Sequence, residues 1–513
     1  TLKPKERLWY RRVLELPSSW EDNHILLHFG AVDWEATVWV NGERMGQHRG
    51  GYTPFSFDIT DYIYFSEENE IIVAVWDPTN KKNVIRGKQT LRPWFIKYTA
   101  VSGIWQSVWL EPVPETYIES MKLMPDIDNS KIQFQLSIQK PNPKDELKCT
   151  ISDNGINIVE EVAPIKQNYE FKIPNQKLWS PKTPFLYDLT LEIIRDKRTL
   201  DLASSYFGMR KIALENVGSG KKKILLNNDE IFQFGPLDQG YWPDGLYTAP
   251  TDEALKYDIQ ISKELGFNMI RKHVKVEPAR WYYHCDKLGM LVWQDMPNGG
   301  KMGILSIFLD LLRKDKQHEH KLKKYQKDQF YQELKEMISL LYNHPSIIEW
   351  IPFNEGWGQF DTEKVVKFVK KLDSSRLINS ASGWFDHGVG DICDCHEYVG
   401  PAMPKGINGR APVCGEFGGL GLEIKDHIWE KKFKFVYQKL ENAEELTRSY
   451  SELISELKML KKNGLTAGVY TQLTDVEGEI NGLLTYDREI IKINKNVLRD
   501  LNTSIIEPKN KPK

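Results

Sequence analysis

Apolar and polar residues alternate with period two through the first two hundred residues, and the rhythm changes near residue 217. Residues 132–138 show the first regime: Ile132, Phe134, Leu136 and Ile138 are separated by Gln and Ser. Such alternation places one face of a strand in a core and the other in solvent. Similar short runs lie at 25–29, 36–40, 71–76 and 107–110, and a looser one at 186–194. Asn41-Gly42 is a hairpin signal, while Gly50-Gly51, Asp77-Pro78 and the prolines from Pro112 to Pro114 punctuate the rest. Residues 1–115 are therefore expected to fold as a jelly-roll sandwich. Residues 116–216 are expected to form an immunoglobulin-like β-sandwich, with a turn-rich connection over 174–184.

From 217 onward strand-like runs alternate with helix-like ones. Thr251 can cap a helix that Gly266 stops, and Pro278 can open another that Gly289 ends. Residues 313–341 have helical period, with Lys321 and its neighbours to Lys324 on a solvated face. Strand candidates lie at 231–234, 267–271, 290–294, 347–353, 377–379, 391–395, 413–415 and 467–472. Several are apolar on both faces, as strands of a buried parallel sheet are. Eight strand–helix units in about 250 residues predict a TIM barrel over 217–513.

Composition narrows the function classes. Hydrophobic residues make up 41% and charged ones 27% of 513, ordinary for a globular protein. A net charge of −2 gives no reason to expect a nucleic-acid partner. No stretch approaches the roughly 20 apolar residues of a membrane span. No signal-peptide pattern opens the chain at Thr1, which reads as a mature or trimmed start. No Gly-rich phosphate loop is found, so no cofactor is expected. The five cysteines, Cys149, Cys285, Cys393, Cys395 and Cys414, are odd in number and irregularly spaced, against a disulfide framework. Cys393-Asp394-Cys395-His396 lacks a second ligand pair, so buried thiols rather than a metal are expected there.

Active sites of such barrels lie at the carboxyl ends of the strands. That rule selects Arg271, Lys272 and His273 after strand two, Gln294 and Asp295 after strand three, and Asn354 and Glu355 after strand four. It also selects His396, Glu397 and Tyr398 after strand six, Glu416 after strand seven, and Thr471 and Gln472 after strand eight. Glu355 and Glu416 each end an apolar run, and burying a carboxylate is costly without a partner or a task. Two such carboxylates across one barrel mouth suit glycoside cleavage by an acid/base and a nucleophile about 5 Å apart. Arg271 can keep Glu416 ionised, Tyr398 can donate to it, and Asn354 can hold a sugar hydroxyl. His273 and His396 read more simply as hydrogen-bonded structural groups, though His396 is kept as a substrate contact. Trp357 and Trp384 are either packing residues or sugar platforms.

These motifs resemble glycoside hydrolase family 2. Phe353-Asn354-Glu355-Gly356 is similar to its acid/base motif and Gly415-Glu416-Phe417-Gly418 to its nucleophile motif. The likeness extends to Val38-Trp39-Val40 with Asn41-Gly42, to Gly103-Ile104-Trp105, and to Cys285-Asp286-Lys287-Leu288-Gly289. It implies Glu355 as acid/base, Glu416 as nucleophile, and retaining exo-cleavage of a terminal sugar from a glycoside or oligosaccharide. It also implies several dozen residues ahead of Arg7-Leu8-Trp9-Tyr10, and export to the periplasm or beyond for bacterial members. The family's β-glucuronidases carry an Asn-x-Lys pair after strand eight. Here Glu479-Ile480-Asn481-Gly482 has no lysine, which favours a neutral glycone, first a β-galactoside. The alternatives are a β-mannosidase or arabinosidase type, or an inactive carbohydrate-binding protein. Thr471 and Gln472 stand where many members place a Trp, and Asp238 is a further candidate glycone contact. Homo-oligomerisation stays open.

Overall fold

The computed structural model describes residues 2–82, 84–216, 222–299 and 319–507. Two antiparallel sheets open the chain. One orders Leu8–Glu15, Glu68–Trp76, Glu35–Val40 and Glu43–Arg49; the other orders Val108–Val113, His24–Phe29 and Phe55–Asp58. Alternate residues such as Ile25, Leu27, Phe29, Val38, Val40 and Val73 fill the space between them. The strand beginning at Val108 runs on through Pro112, where the sequence suggests a break. It is an edge strand pairing only with His24–Phe29, so the missing proline N–H can face away from the ladder.

A second sandwich follows. Ile118–Asp126, Lys131–Ile138 and Asn168–Lys172 face Ile156–Pro164, Glu146–Asp153, Tyr187–Arg195 and Arg198–Phe207 across a core built on Phe134, Leu147, Ile151 and Leu191. Trp179 leaves this sandwich and packs under the barrel with Met269, Leu291 and Trp293. Its indole Nε1 donates to Asp286 O at 2.8 Å, which ties the two domains.

The barrel strands are β1 (Gln233–Asp238), β2 (Met269–Lys272), β3 (Leu291–Asp295), β4 (Ile347–Ile351), β5 (Leu377–Ile378), β6 (Ile392–Glu397), β7 (Ala411–Gly418) and β8 (Ala467–Thr471). They pair in parallel in the order β5-β4-β3-β2-β1-β8-β7-β6. The ring closes between β5 and β6 through Asp391 N to Ile378 O at 2.8 Å. Every residue of β1, β2, β3, β4, β7 and β8 is buried, as a sheet wrapped by helices requires. Helix α1 (Asp252–Glu264) is capped by Thr251, whose side chain accepts from Ala254 N, and α2 (Ala279–Leu288) ends at Gly289 with φ 73°. Of the long charged stretch, α3 is helical over Lys324–Leu341, and its first part, 313–318, lies outside the described residues. All five cysteines are free.

Candidate active site

Glu416 sits inside β7, where a register irregularity against β8 between Cys414 and Phe417 re-aims the chain. The preceding Gly415 is required by close approach: a Cβ there would lie 2.2 Å from Asp394 Oδ2. Asp394 Oδ1 accepts from Gly415 N at 2.6 Å, and Gly415 O accepts from Arg271 Nη1 at 3.0 Å. The backbone carrying Glu416 is thus clamped from both sides. Glu355 stands in the turn after β4 with φ 50°, its N–H donating to Ser382 O at 2.8 Å. A non-glycine residue at positive φ is uncommon, and such backbone concentrates at functional sites.

The two carboxylates meet at shared partners. Tyr398 Oη lies 2.7 Å from Glu416 Oε2 and 3.3 Å from Glu355 Oε1. His396 Nδ1 lies 2.9 Å from Glu355 Oε1 and 3.7 Å from Glu416 Oε1. One oxygen of each carboxylate and the imidazole nitrogen fall within 4.8 Å of one another. Arg271, fully buried, donates to Glu416 Oε1 at 3.3 Å, to Asn354 Oδ1 at 2.8 Å, and to both oxygens of Asp295 at 3.0 and 3.1 Å. Asp295 also accepts from Val274 N and is 2.8 Å from His273 Nδ1.

His396 is held as a cation. Burial opposes its charge, but the Glu416 carboxylate and the hydrogen bond to Glu355 outweigh burial and push it up to about 9. On its other side, Nε2 is 2.8 Å from Ser382 Oγ, which itself donates to Asp394 Oδ2 at 2.6 Å. With its proton spent on Asp394, that hydroxyl is left to accept from Nε2. Burial also raises the Glu355 carboxyl, yet the imidazolium bond and charge, with Lys88 and Arg271 behind them, bring it below the usual glutamate range.

The structure therefore brings Glu355, Glu416, Asn354, Arg271, Tyr398 and His396 into one hydrogen-bonded cluster. Asp238, at the end of β1, does not join this cluster: its Oδ2 is 2.6 Å from Lys272 Nζ and its Oδ1 accepts from Gly240 N. One face of Trp357 is occupied by the Lys97 ammonium, 3.4 Å from the ring centroid. Trp384 is half-buried in the loop after β5. In place of a Trp after β8, a polar chain runs from Gln472 Nε2 to Asn481 Oδ1 at 2.8 Å and from Asn481 Nδ2 to Glu479 Oε1 at 3.1 Å. Glu479 Oε2 accepts the Tyr98 hydroxyl.

Sequence reasoning missed four neighbours of this cluster. Tyr437 stacks on Tyr398 at 3.7 Å and 7°. Lys88, Lys97 and Tyr98 come from the first domain. In sequence Lys97 stands alone among aromatic and apolar residues, Trp94-Phe95-Ile96-Lys97-Tyr98, far from the barrel, with nothing local to tie it or Lys88 to the site.

Two β-sandwiches ahead of a barrel with a carboxylate pair at its mouth place the chain among the three-part barrel proteins. It belongs to glycosyl hydrolases family 2, whose sugar binding domain matches residues 3–114, whose central domain matches 116–210 and whose TIM barrel domain matches 221–405. Among curated relatives, a β-galactosidase of Thermoanaerobacter pseudethanolicus is 27% identical over 72% of this chain and 47% of its own length. A β-glucuronidase of Streptococcus agalactiae is 26% identical over 83% of this chain and 72% of its own length. The chain thus spans less than half of the first of these. The solved β-glucuronidase of Ruminococcus gnavus has the same fold, with a TM-score of 0.77 at 19% identity over 96% of this chain and 88% of that one.

Proposed function

We propose that the protein is a retaining, exo-acting β-glycosidase with Glu416 as nucleophile and Glu355 as acid/base. The observation that carries the reading is the single Tyr398 hydroxyl within hydrogen-bond reach of both carboxylates, whose nearer oxygens lie within 4.8 Å. Retaining cleavage uses carboxylates about 5–5.5 Å apart, whereas inverting cleavage needs about 6.5–9.5 Å to admit a water.

In the first step Glu416 Oε attacks the anomeric carbon and the bond to the leaving oxygen breaks. The leaving oxygen takes a proton from Glu355, which draws it from the His396 imidazolium 2.9 Å away. In the second step water attacks the anomeric carbon of the glycosyl ester, Glu355 accepts its proton and hands it back to His396, and Glu416 leaves as carboxylate. Arg271 and Tyr398 donate hydrogen bonds to Glu416, at 3.3 Å and 2.7 Å, and hold its carboxylate in place for the attack. The intact pair and its hydrogen bonds speak against a carbohydrate-binding protein without turnover.

The sequence favours a neutral glycone, first a β-galactoside, and a relative named β-galactosidase keeps that reading in place. Its ground was the missing lysine at 479–482. Lys88 Nζ lies 3.9 Å from Glu479 Oε2, so a lysine does reach that position, from another domain. This favours a second reading, an acidic glycone, in keeping with relatives named β-glucuronidase.

The test is Glu416→Gln beside the wild type on aryl β-glycosides. A fall of about 10⁴-fold in kcat with an unchanged melting temperature is expected. Wild-type rates in the variant would overturn the assignment.

A further inference from the structure

The loop over 84–101 leaves the jelly roll and is seated on the barrel. Arg86 N and Gly87 N donate to Asn298 O at 3.2 and 2.9 Å, and Thr99 N donates to Glu477 Oε1 at 2.8 Å. Gly87 has φ 58°, and a Cβ there would lie 2.5 Å from Val274 O, so the backbones touch. Trp94 meets Phe433 at 5.6 Å and Phe95 meets Phe435 at 4.1 Å between ring centroids. This docking holds two lysines over the barrel mouth.

Lys88 is buried, its ammonium 5.2 Å from the Tyr98 ring centroid and 3.9 Å from Glu479. Glu479 is already shared with the Tyr98 hydroxyl and Asn481. Lys97 points its ammonium at the face of Trp357, two residues past Glu355. Among the described residues, no carboxylate lies within 4.0 Å of that ammonium. Trp357, under the Lys97 ammonium, also meets the His273 ring at 6.3 Å between centroids, and His273 lies 2.8 Å from the Asp295 carboxylate that Arg271 holds, so this corner borders the cluster. Burial and the neighbouring Arg86 and Lys88 hold the Lys97 ammonium well below the usual lysine range.

Desolvated cations are costly unless an anion meets them. A neutral sugar offers only hydroxyls. We propose that Lys88 and Lys97 form a subsite for an anionic group, a carboxylate or a sulfate ester, on the glycone seated against Glu355 and Glu416. The proposal rests on the glycosidase reading above and names its substrate class. On this reading both ammoniums meet the anionic group, with Trp357 packed against the Lys97 ammonium. The choice of sugar is thereby made by the first domain rather than by the strand-eight loop of the barrel.

The experiment compares kcat/KM for nitrophenyl β-D-galactoside, β-D-glucuronide and 6-sulfo-β-D-galactoside in the wild type, Lys97→Met, Lys97→Arg and Lys88→Met. The wild type is expected to prefer one anionic substrate, and which one distinguishes carboxylate from sulfate. Lys97→Met should lower the anionic-to-neutral ratio about 10- to 100-fold, with Lys97→Arg retaining most of it. An equal loss on all three substrates would mean that Lys97 only screens Glu355, and would overturn the proposal. If no glycoside is turned over, the glycosidase reading fails by itself. Calorimetry with glucuronic acid, galactose and galactose 6-sulfate then decides the subsite separately. Saturable binding of an acidic sugar that Lys97→Met abolishes supports it, and no acidic-sugar binding to the wild type overturns it.

Discussion

His396 Nδ1 lies 2.9 Å from Glu355 Oε1, and the two side chains are buried together at the barrel mouth. Their charges sustain each other. The imidazolium is held up to about 9, and the carboxyl is drawn below its usual range. The histidine's contribution to stability is complete below its unfolded value near 6.5 and is lost as pH rises through about 9. The glutamate's contribution is present above its unfolded value near 4.3 and is lost as pH falls below it. Melting temperature measured against pH should therefore drop on the alkaline side between about 6.5 and 9. His396→Asn should flatten that limb while lowering the plateau. An alkaline limb unchanged in the variant would show that the pair is not its source.

Leaving-group dependence separates the two glutamates. Glu355→Ala should slow hydrolysis of alkyl glycosides by about 10²–10⁴-fold, with a much smaller loss on dinitrophenyl glycosides. Those need no proton to depart. Equal losses on both would remove Glu355 from the acid role.

Tyr398 touches both carboxylates and packs flat on Tyr437. Tyr398→Phe keeps the stack and removes the hydroxyl. Hydrogen bonds to charged groups are worth about 1.5–3 kcal/mol, so kcat should fall about 10- to 100-fold with little change in melting temperature. Steady-state kinetics and calorimetry read the two effects separately.

Trp179 is fully buried between the second sandwich and the barrel. Trp179→Ala should cost about 3–5 kcal/mol, seen as an earlier midpoint in urea. A midpoint within error of the wild type would mean that the sandwich does not brace the barrel.

The architecture was legible because each regime of periodicity is unbroken. The run from Ile132 to Ile138 could be only a one-faced strand, and β3 and β4 only strands covered on both faces. Boundaries slipped where a neighbour decides them: Pro112 stays in its strand because that strand is an edge. The glutamates, Asn354 and Arg271 were reachable from the rule that barrel chemistry lies at strand ends. Asp238 obeys the same rule, yet its charge is taken by Lys272, a pairing that alternation along β2 does not reveal. Lys88 and Lys97 were beyond reach because local pattern carries no information on which loop of one domain rests on another.

The seating of residues 84–101 on the barrel gives the molecule two separately adjustable parts. Among the described residues, neither the Lys88 nor the Lys97 ammonium is a hydrogen-bond donor within the cluster built on Arg271; each touches it only through charge, at Glu355. On the proposed reading, a lineage carrying this chain would change the sugar it accepts by editing a loop in the first domain, with the donors to Glu355 and Glu416 left in place.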